Sequence, residues 1–244
     1  MSSLKLTNPH SVLAALQQRP QDVLEVHASA KRSSAGWQGV VELAKQHGIS
    51  VREPIARKEP GGRAVHRDGG RLGNTYAVVR ELQGVSIRDL FSQDVSRGLW
   101  LALDQLQDPH NVGAIFRTAA FFGIRGIVMT VNKSAPLTPT VYDIASGGVE
   151  TVPFTQLSNL SQAIEVAKKS DMWVLGTSEH ESMPVSEVDR DRRWLLVVGN
   201  EEKGLRRLTQ ERCDQVCCIP PRGEVTSLNV SVAAGVLMSH LTAD

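Results

Sequence analysis

Residues 98–244 alternate between short apolar runs and helix-like stretches, and this alternation constrains the fold more than any other feature of the chain. LWLALDQL, IRGIVMT, MWVLGTS, RWLLVVGNE and QVCCIP are rich in Leu, Val and Ile with few polar breaks. Such runs suit strands covered on both faces. Between them NVGAIFRTAAFFG, TPTVYDIASGG, LSQAIEVAKKSD and LRRLTQERC read as helices, ETVPFTQL reads as a strand at the sheet edge, and the chain closes on an Ala/Val helix. Buried strands alternating with helices predict an α/β fold, a parallel sheet with helices on both faces.

Residues 1–82 read as a separate, smaller α/β domain. NPHSVLAALQQ predicts a helix capped by Asn8 or Ser11, and DVLEVHAS (22–29) a strand. GWQGVVELAKQHGI predicts a helix ended by Gly48, and TYAVVREL (75–82) a further strand. ARKEPGGRAVHRDGGRLGN (56–74) holds six Gly or Pro and five basic residues, which marks a cationic loop. Residues 83–97 read as a linker with one helical turn, and 98–244 as the second domain. Residues 1–97 carry 14 Lys/Arg against 9 Asp/Glu, a net +5, whereas 98–244 carry 13 against 17, a net −4. A basic first half attracts polyanions.

No apolar run reaches the ~18–20 residues of a membrane span. The opening MSSLKLTNPHSVLAAL lacks a long apolar core, so a cytoplasmic protein without a membrane partner is expected. Cys213, Cys217 and Cys218 are three closely spaced cysteines with no histidine at zinc-like spacing, so they read as small buried residues and no metal site is expected.

Neither a G-x-G-x-x-G turn nor a phosphate loop is present, but three stretches stand at strand ends. GNEEKG (199–204) follows WLLVV, and its carboxylates suit a ligand bearing positive charge. In DPHNVGAIFRTAAFFG (108–123), Asn111 sits at a helix start. Arg117 stands in an otherwise apolar helix, where it either pairs with a carboxylate or points into a polar cleft. In RGEVTSLNVSVAAGVL (222–237), Ser227 and Asn229 flank Leu228 at a helix start, as caps or as ligand holders. In a parallel sheet the three loops converge on one edge.

The stretches NVGAIFRTAAFFG (111–123), LLVVGNEEKGLRRLTQERCD (195–214) and IPPRGEVTSLNVSVAAGVL (219–237), in that order and spacing, closely resemble the SpoU (TrmH) branch of the SPOUT RNA 2′-O-ribose methyltransferases. The first half resembles the substrate-binding domain ahead of it in ribosomal RNA members. The layout is most similar to members acting on a guanosine of large-subunit ribosomal RNA. Transfer RNA methylation, or RNA binding without catalysis in ribosome assembly, are the alternatives.

The resemblance implies a deep trefoil knot, a homodimer, and S-adenosyl-L-methionine held by Gly176, Thr177, Gly199, Ile219 and Leu228. It implies catalysis by Arg117 with Asn111, Glu201, Ser227 and Asn229. Arg117 either passes its proton to an RNA phosphate and acts as base, or stays charged and stabilises the developing alkoxide. The extended region VHRDGGRLGNTYAVV departs from the family pattern and leaves the target nucleotide open, and an Asn precedes Glu201 where small residues are frequent.

Overall fold

The computed structural model describes residues 2–29, 33–54, 75–181, 183–200 and 203–243. The cationic stretch 56–74 and Glu201 lie outside the described residues. The chain divides into two compact units, Met1–Leu82 and Gln83–Asp244.

The first unit runs β1 (Ser3–Leu6), α1 (Pro9–Gln18), β2 (Val23–His27), α2 (Ala35–Gln46), β3 (Ser50–Arg52) and β4 (Tyr76–Arg80). Asn8 starts α1, its side chain accepting from the His10 amide at 2.9 Å, while Ser11 is buried inside the helix. The sheet has the order β1-β4-β2-β3, with β4 antiparallel to both neighbours and β2 parallel to β3. Val12, Ala15 and Leu16 of α1 and Trp37, Val40, Val41 and Ala44 of α2 are buried, as are Leu6, Val26, Ala77 and Val79 of the sheet. β1 and β3 escape the sequence reading because three or four residues are too few to show alternation.

The second unit runs α3 (Ile87–Phe91), β5 (Gly98–Leu103), α4 (Pro109–Phe121), β6 (Gly126–Thr130), α5 (Pro139–Ala145), α6 (Gly148–Thr151), β7 (Phe154–Leu157), α7 (Leu160–Lys169), β8 (Trp173–Thr177), β9 (Arg193–Val198), α8 (Arg207–Gln210), β10 (Gln215–Cys217) and α9 (Val230–Leu241). Its six strands are all parallel, in the order β10-β8-β9-β5-β6-β7. Trp100, Ala102, Val128, Val174, Leu195 and Val197 pack against α3 and α7 through Ile87, Leu90, Phe91, Leu160 and Ile164. Alternation along the strands turns Leu99, Leu101 and Leu103 to the opposite face. There α4 packs with α5, α6 and α9.

Residues 83–97 contain the one short helical turn expected there, α3, and it packs on the core, with Trp100 Nε1 donating to the Leu90 carbonyl at 2.9 Å and Arg193 Nη2 to the Phe91 carbonyl at 2.8 Å. Five helical residues carry too little periodicity to reveal this face. The start of ETVPFTQL belongs to α6, which ends at Thr151, and the strand begins only at Phe154.

Candidate active site

Because the sheet is parallel, the carboxyl ends of β5, β8, β9 and β10 share one edge, where open α/β sheets hold ligands. The segments 104–108, 199–206 and 218–229 all leave from it.

The 199–206 turn is closed by paired bonds between Asn200 and Gly204, at 3.1 and 2.9 Å. Gly204 has φ +62°, which a glycine adopts without penalty. A Cβ on Gly199 would stand 2.4–2.5 Å from the backbone of Gly204 and Leu205, so no side chain fits there. Asn200 Nδ2 donates to the Gln105 carbonyl at 2.9 Å, and its Oδ1 accepts from the Lys203 amide at 3.2 Å. Arg206 donates to both carboxylate oxygens of Asp104 at 3.0 Å. The turn is thereby strapped to the residues that follow β5.

A first cavity of about 330 Å³ lies between this turn, the end of β8 and the segment before α9, with Thr177, Gly199, Leu205, Ile219, Leu228 and Glu179 in its walls. Its size falls within the roughly 300–1,000 Å³ of small-molecule sites. Apolar walls suit an adenosine, and the Glu179 carboxylate suits a cationic centre. Cys217 and Cys218 also line it. Burial pushes the Cys217 thiol up to about 12 and that of nearby Cys213 to about 11, so both stay protonated, and Cys217 serves as wall, not nucleophile.

A second, larger and more polar cavity of about 690 Å³ adjoins it, lined by Gln105, Asn111, Lys133, Lys203, Ser227 and Asn229 among others. Asn200, Lys203, Ser227, Leu228 and Val230 belong to both walls. Asn229 caps α9, its Oδ1 accepting from the Ser231 amide at 2.9 Å, and its Nδ2 donates to Asn111 Oδ1 at 3.1 Å. Asn111 is 8% exposed. One side chain thus both caps and shapes the cleft, whereas Ser227 is exposed and faces both cavities. Among the described residues no cluster of three His, Cys, Asp or Glu could hold a metal, and no helix is long and apolar enough to cross a membrane.

Residues 98–239 match the family model of the SpoU rRNA Methylase family. The chain is 34% identical over 239 residues to the 23S rRNA (guanosine-2'-O-)-methyltransferase RlmB of Coxiella burnetii, covering 98% of this chain and 95% of that protein. This chain belongs to the SpoU rRNA methylase family. It is also 37% identical to the RlmB of Acinetobacter baylyi, over 94% of this chain and 92% of that protein. In fold it is similar to the SpoU methyltransferase AviRb of Streptomyces viridochromogenes, solved in complex with the cofactor AdoMet, at TM-score 0.78 and 18% identity over 98% of this chain and 89% of that one.

Within this SpoU chain the candidate residues separate. Thr177, Gly199, Ile219 and Leu228 line the first cavity. Gly176 does not: it sits inside β8, where a Cβ would strike Cys213 Sγ at 2.9 Å and Leu205 Cδ1 at 3.0 Å, so it packs the layer beneath the cavity floor. Asn111, Ser227 and Asn229 line the second cavity, and Arg117 does not. Six residues along α4 place Arg117 about 120° around the helix from Asn111. It is exposed and pairs with no carboxylate among the described residues, so the buried ion pair is not what holds it. Asp104, Gln105, Lys133, Glu179 and Lys203 were not singled out from sequence. Of these only Asp104 carried a signal, a carboxylate set directly after the apolar run LWLAL.

Proposed function

We propose that this protein methylates a ribose 2′-hydroxyl of large-subunit ribosomal RNA, with guanosine as acceptor and S-adenosylmethionine as donor. The observation that carries the reading is the shared wall: a partly apolar cavity and a larger, polar cleft meet at Asn200, Ser227 and Leu228. When bound, S-adenosylmethionine supplies an electrophilic methyl on a sulfonium. The residues of this chain hold the acceptor in line with it, since positioning is most of what such a displacement needs. Asn111 and Asn229 fix the ribose, and Ser227 faces the hydroxyl. The RlmB names of relatives more than 30% identical over nearly their whole length support the guanosine and the ribosomal substrate. A ribosomal substrate supports a cytoplasmic location for the reaction.

We assign Arg117 the charged role, because guanidinium stays protonated at any physiological pH. It binds a phosphate beside the target ribose and stabilises the negative charge that develops on the 2′ oxygen, while the hydroxyl proton leaves to solvent water. Its placement supports a homodimer in which it serves the partner's cleft. Phe121, one turn further along α4, is 83% exposed, and Val232 and Val236 of the adjoining α9 are exposed too. An apolar face of this kind favours a partner surface. The reading includes the family's trefoil knot in the C-terminal strands. The order β10-β8-β9 supports it, since β10 follows β9 in the chain yet pairs beyond β8. Glu201 keeps its family role as an orienting carboxylate, and the first unit serves as the RNA-binding substrate domain.

The test is transfer of labelled methyl from S-adenosylmethionine to unmodified 23S ribosomal RNA, read as nucleosides after digestion. A 2′-O-methylguanosine product that disappears in Arg117→Ala is expected. Product only on transfer RNA, or cofactor binding without transfer to either RNA, would overturn the assignment.

A further inference from the structure

The polar cleft carries two cations that the reaction outlined above does not use. Lys133 leaves the turn after β6, and Lys203 leaves the tip of the 199–206 turn, so they approach the cleft from different segments. Both are exposed, and neither side chain has an ion-pair partner among the described residues. The carboxylate that shares the lining, Asp108, is engaged at the start of α4, where it accepts from the His110 amide at 2.8 Å. The remaining lining is mostly amide and hydroxyl groups, from Gln105, Gln107, Asn111, Asn200, Ser227 and Asn229.

Lys133 stands there at a conformational cost. Its φ is +57°, a left-handed backbone in which glycine or asparagine is at ease and a lysine is not. Gln105, across the same cleft, has φ +61°. The neighbours of Lys133 hold the turn in place. Asn132 Nδ2 donates to the Ser158 carbonyl at 3.2 Å, Ser134 Oγ lies 2.7 Å from Thr130 Oγ1, and the Ala135 amide donates to the Leu106 carbonyl at 2.7 Å. Backbone strain held by a well-bonded surround concentrates at functional sites. No contact among the described residues accounts for a lysine there, since its ammonium makes no bond to any of them.

We propose that Lys133 and Lys203 bind backbone phosphates of the RNA on either side of the target nucleotide, and so fix the register of the strand over the cleft. A phosphodiester offers oxygen acceptors of the charge that two ammonium groups, unpaired among the described residues, require. The contact is sequence-independent, so it positions the strand and leaves the choice of base to other groups. This rests on the RNA methyltransferase reading.

The experiment measures binding of unmodified 23S ribosomal RNA transcript across a series of KCl concentrations, for wild type, Lys133→Asn, Lys133→Arg and Lys203→Ala. Lys133→Asn keeps a residue at ease with positive φ and removes only the charge. It is expected to keep or raise the melting temperature while weakening RNA binding about tenfold. The slope of log Kd against log salt should fall by roughly 0.7–0.9 in each charge-removing variant, the share of one phosphate contact. Lys133→Arg should retain the wild-type slope. S-adenosylmethionine affinity of Lys133→Asn should equal wild type, since Lys133 does not line the first cavity. Wild-type slope and affinity in both charge-removing variants would overturn the inference while leaving the methyltransferase reading intact. A wild-type protein without affinity for the transcript would overturn that reading and the inference with it.

Discussion

Asp104, 1% exposed at the end of β5, is gripped by Arg206 through two bonds of 3.0 Å across 102 residues of sequence, with Thr209 Oγ1 a further 3.4 Å away. The pair ties the turn that walls the first cavity to the central strand. Arg206→Ala would leave a buried carboxylate without its counter-charge. Because the guanidinium is half exposed, the cost should fall near 2 kcal/mol, below the roughly 3–5 kcal/mol of a fully buried pair. Urea unfolding checks the stability, and calorimetry should show weaker S-adenosylmethionine binding. Unchanged cofactor affinity in a destabilised variant would confine the pair to a structural role.

Asn229 performs two separable tasks, capping α9 and bonding Asn111. Asn229→Ser keeps a good cap but is too short for the bridge, and Asn229→Ala removes both. A cap and a hydrogen bond each contribute about 1 kcal/mol, so the two variants should lose about 1 and about 2 kcal/mol. Methyl transfer should drop in both. Equal unfolding midpoints for the two would refute the capping contribution.

The thiols of Cys213 and Cys217 link stability to alkaline pH. The unfolded chain ionises them near the ordinary 9.0, while the folded protein holds their protons up to about 11 and about 12. Between these values the unfolded state binds fewer protons, so stability falls as pH rises. Relative to wild type, Cys217→Ala should lose less stability between pH 9 and 11, by one proton's worth of slope. Parallel stability–pH curves for the two proteins would contradict the burial argument.

Arg117 and Asn229 should complement each other between protomers if Arg117 serves the partner's cleft. Arg117→Ala and Asn229→Ala are each expected to be nearly inactive. Mixed and refolded together, they form hybrids in which one cleft has both groups intact, and about a quarter of wild-type activity should return under random pairing and two-fold symmetry. No recovery in a mixture shown to contain hybrids would place Arg117 in its own protomer's site.

The sequence by itself determined what local patterning controls. Apolar runs broken by helical stretches specified the parallel sheet of residues 98–244. The Asn residues at helix starts marked caps at Asn8 and Asn229, because a cap is satisfied within two residues of chain. The family resemblance named Thr177, Gly199, Ile219 and Leu228, which line one cavity of the structure. Tertiary structure alone decided the rest. It set Gly176 beneath the cavity, folded 83–97 onto the core, and brought Arg206 to Asp104 and Lys133 to the cleft. These depend on packing between segments far apart in the chain, which periodicity and capping within one element do not encode.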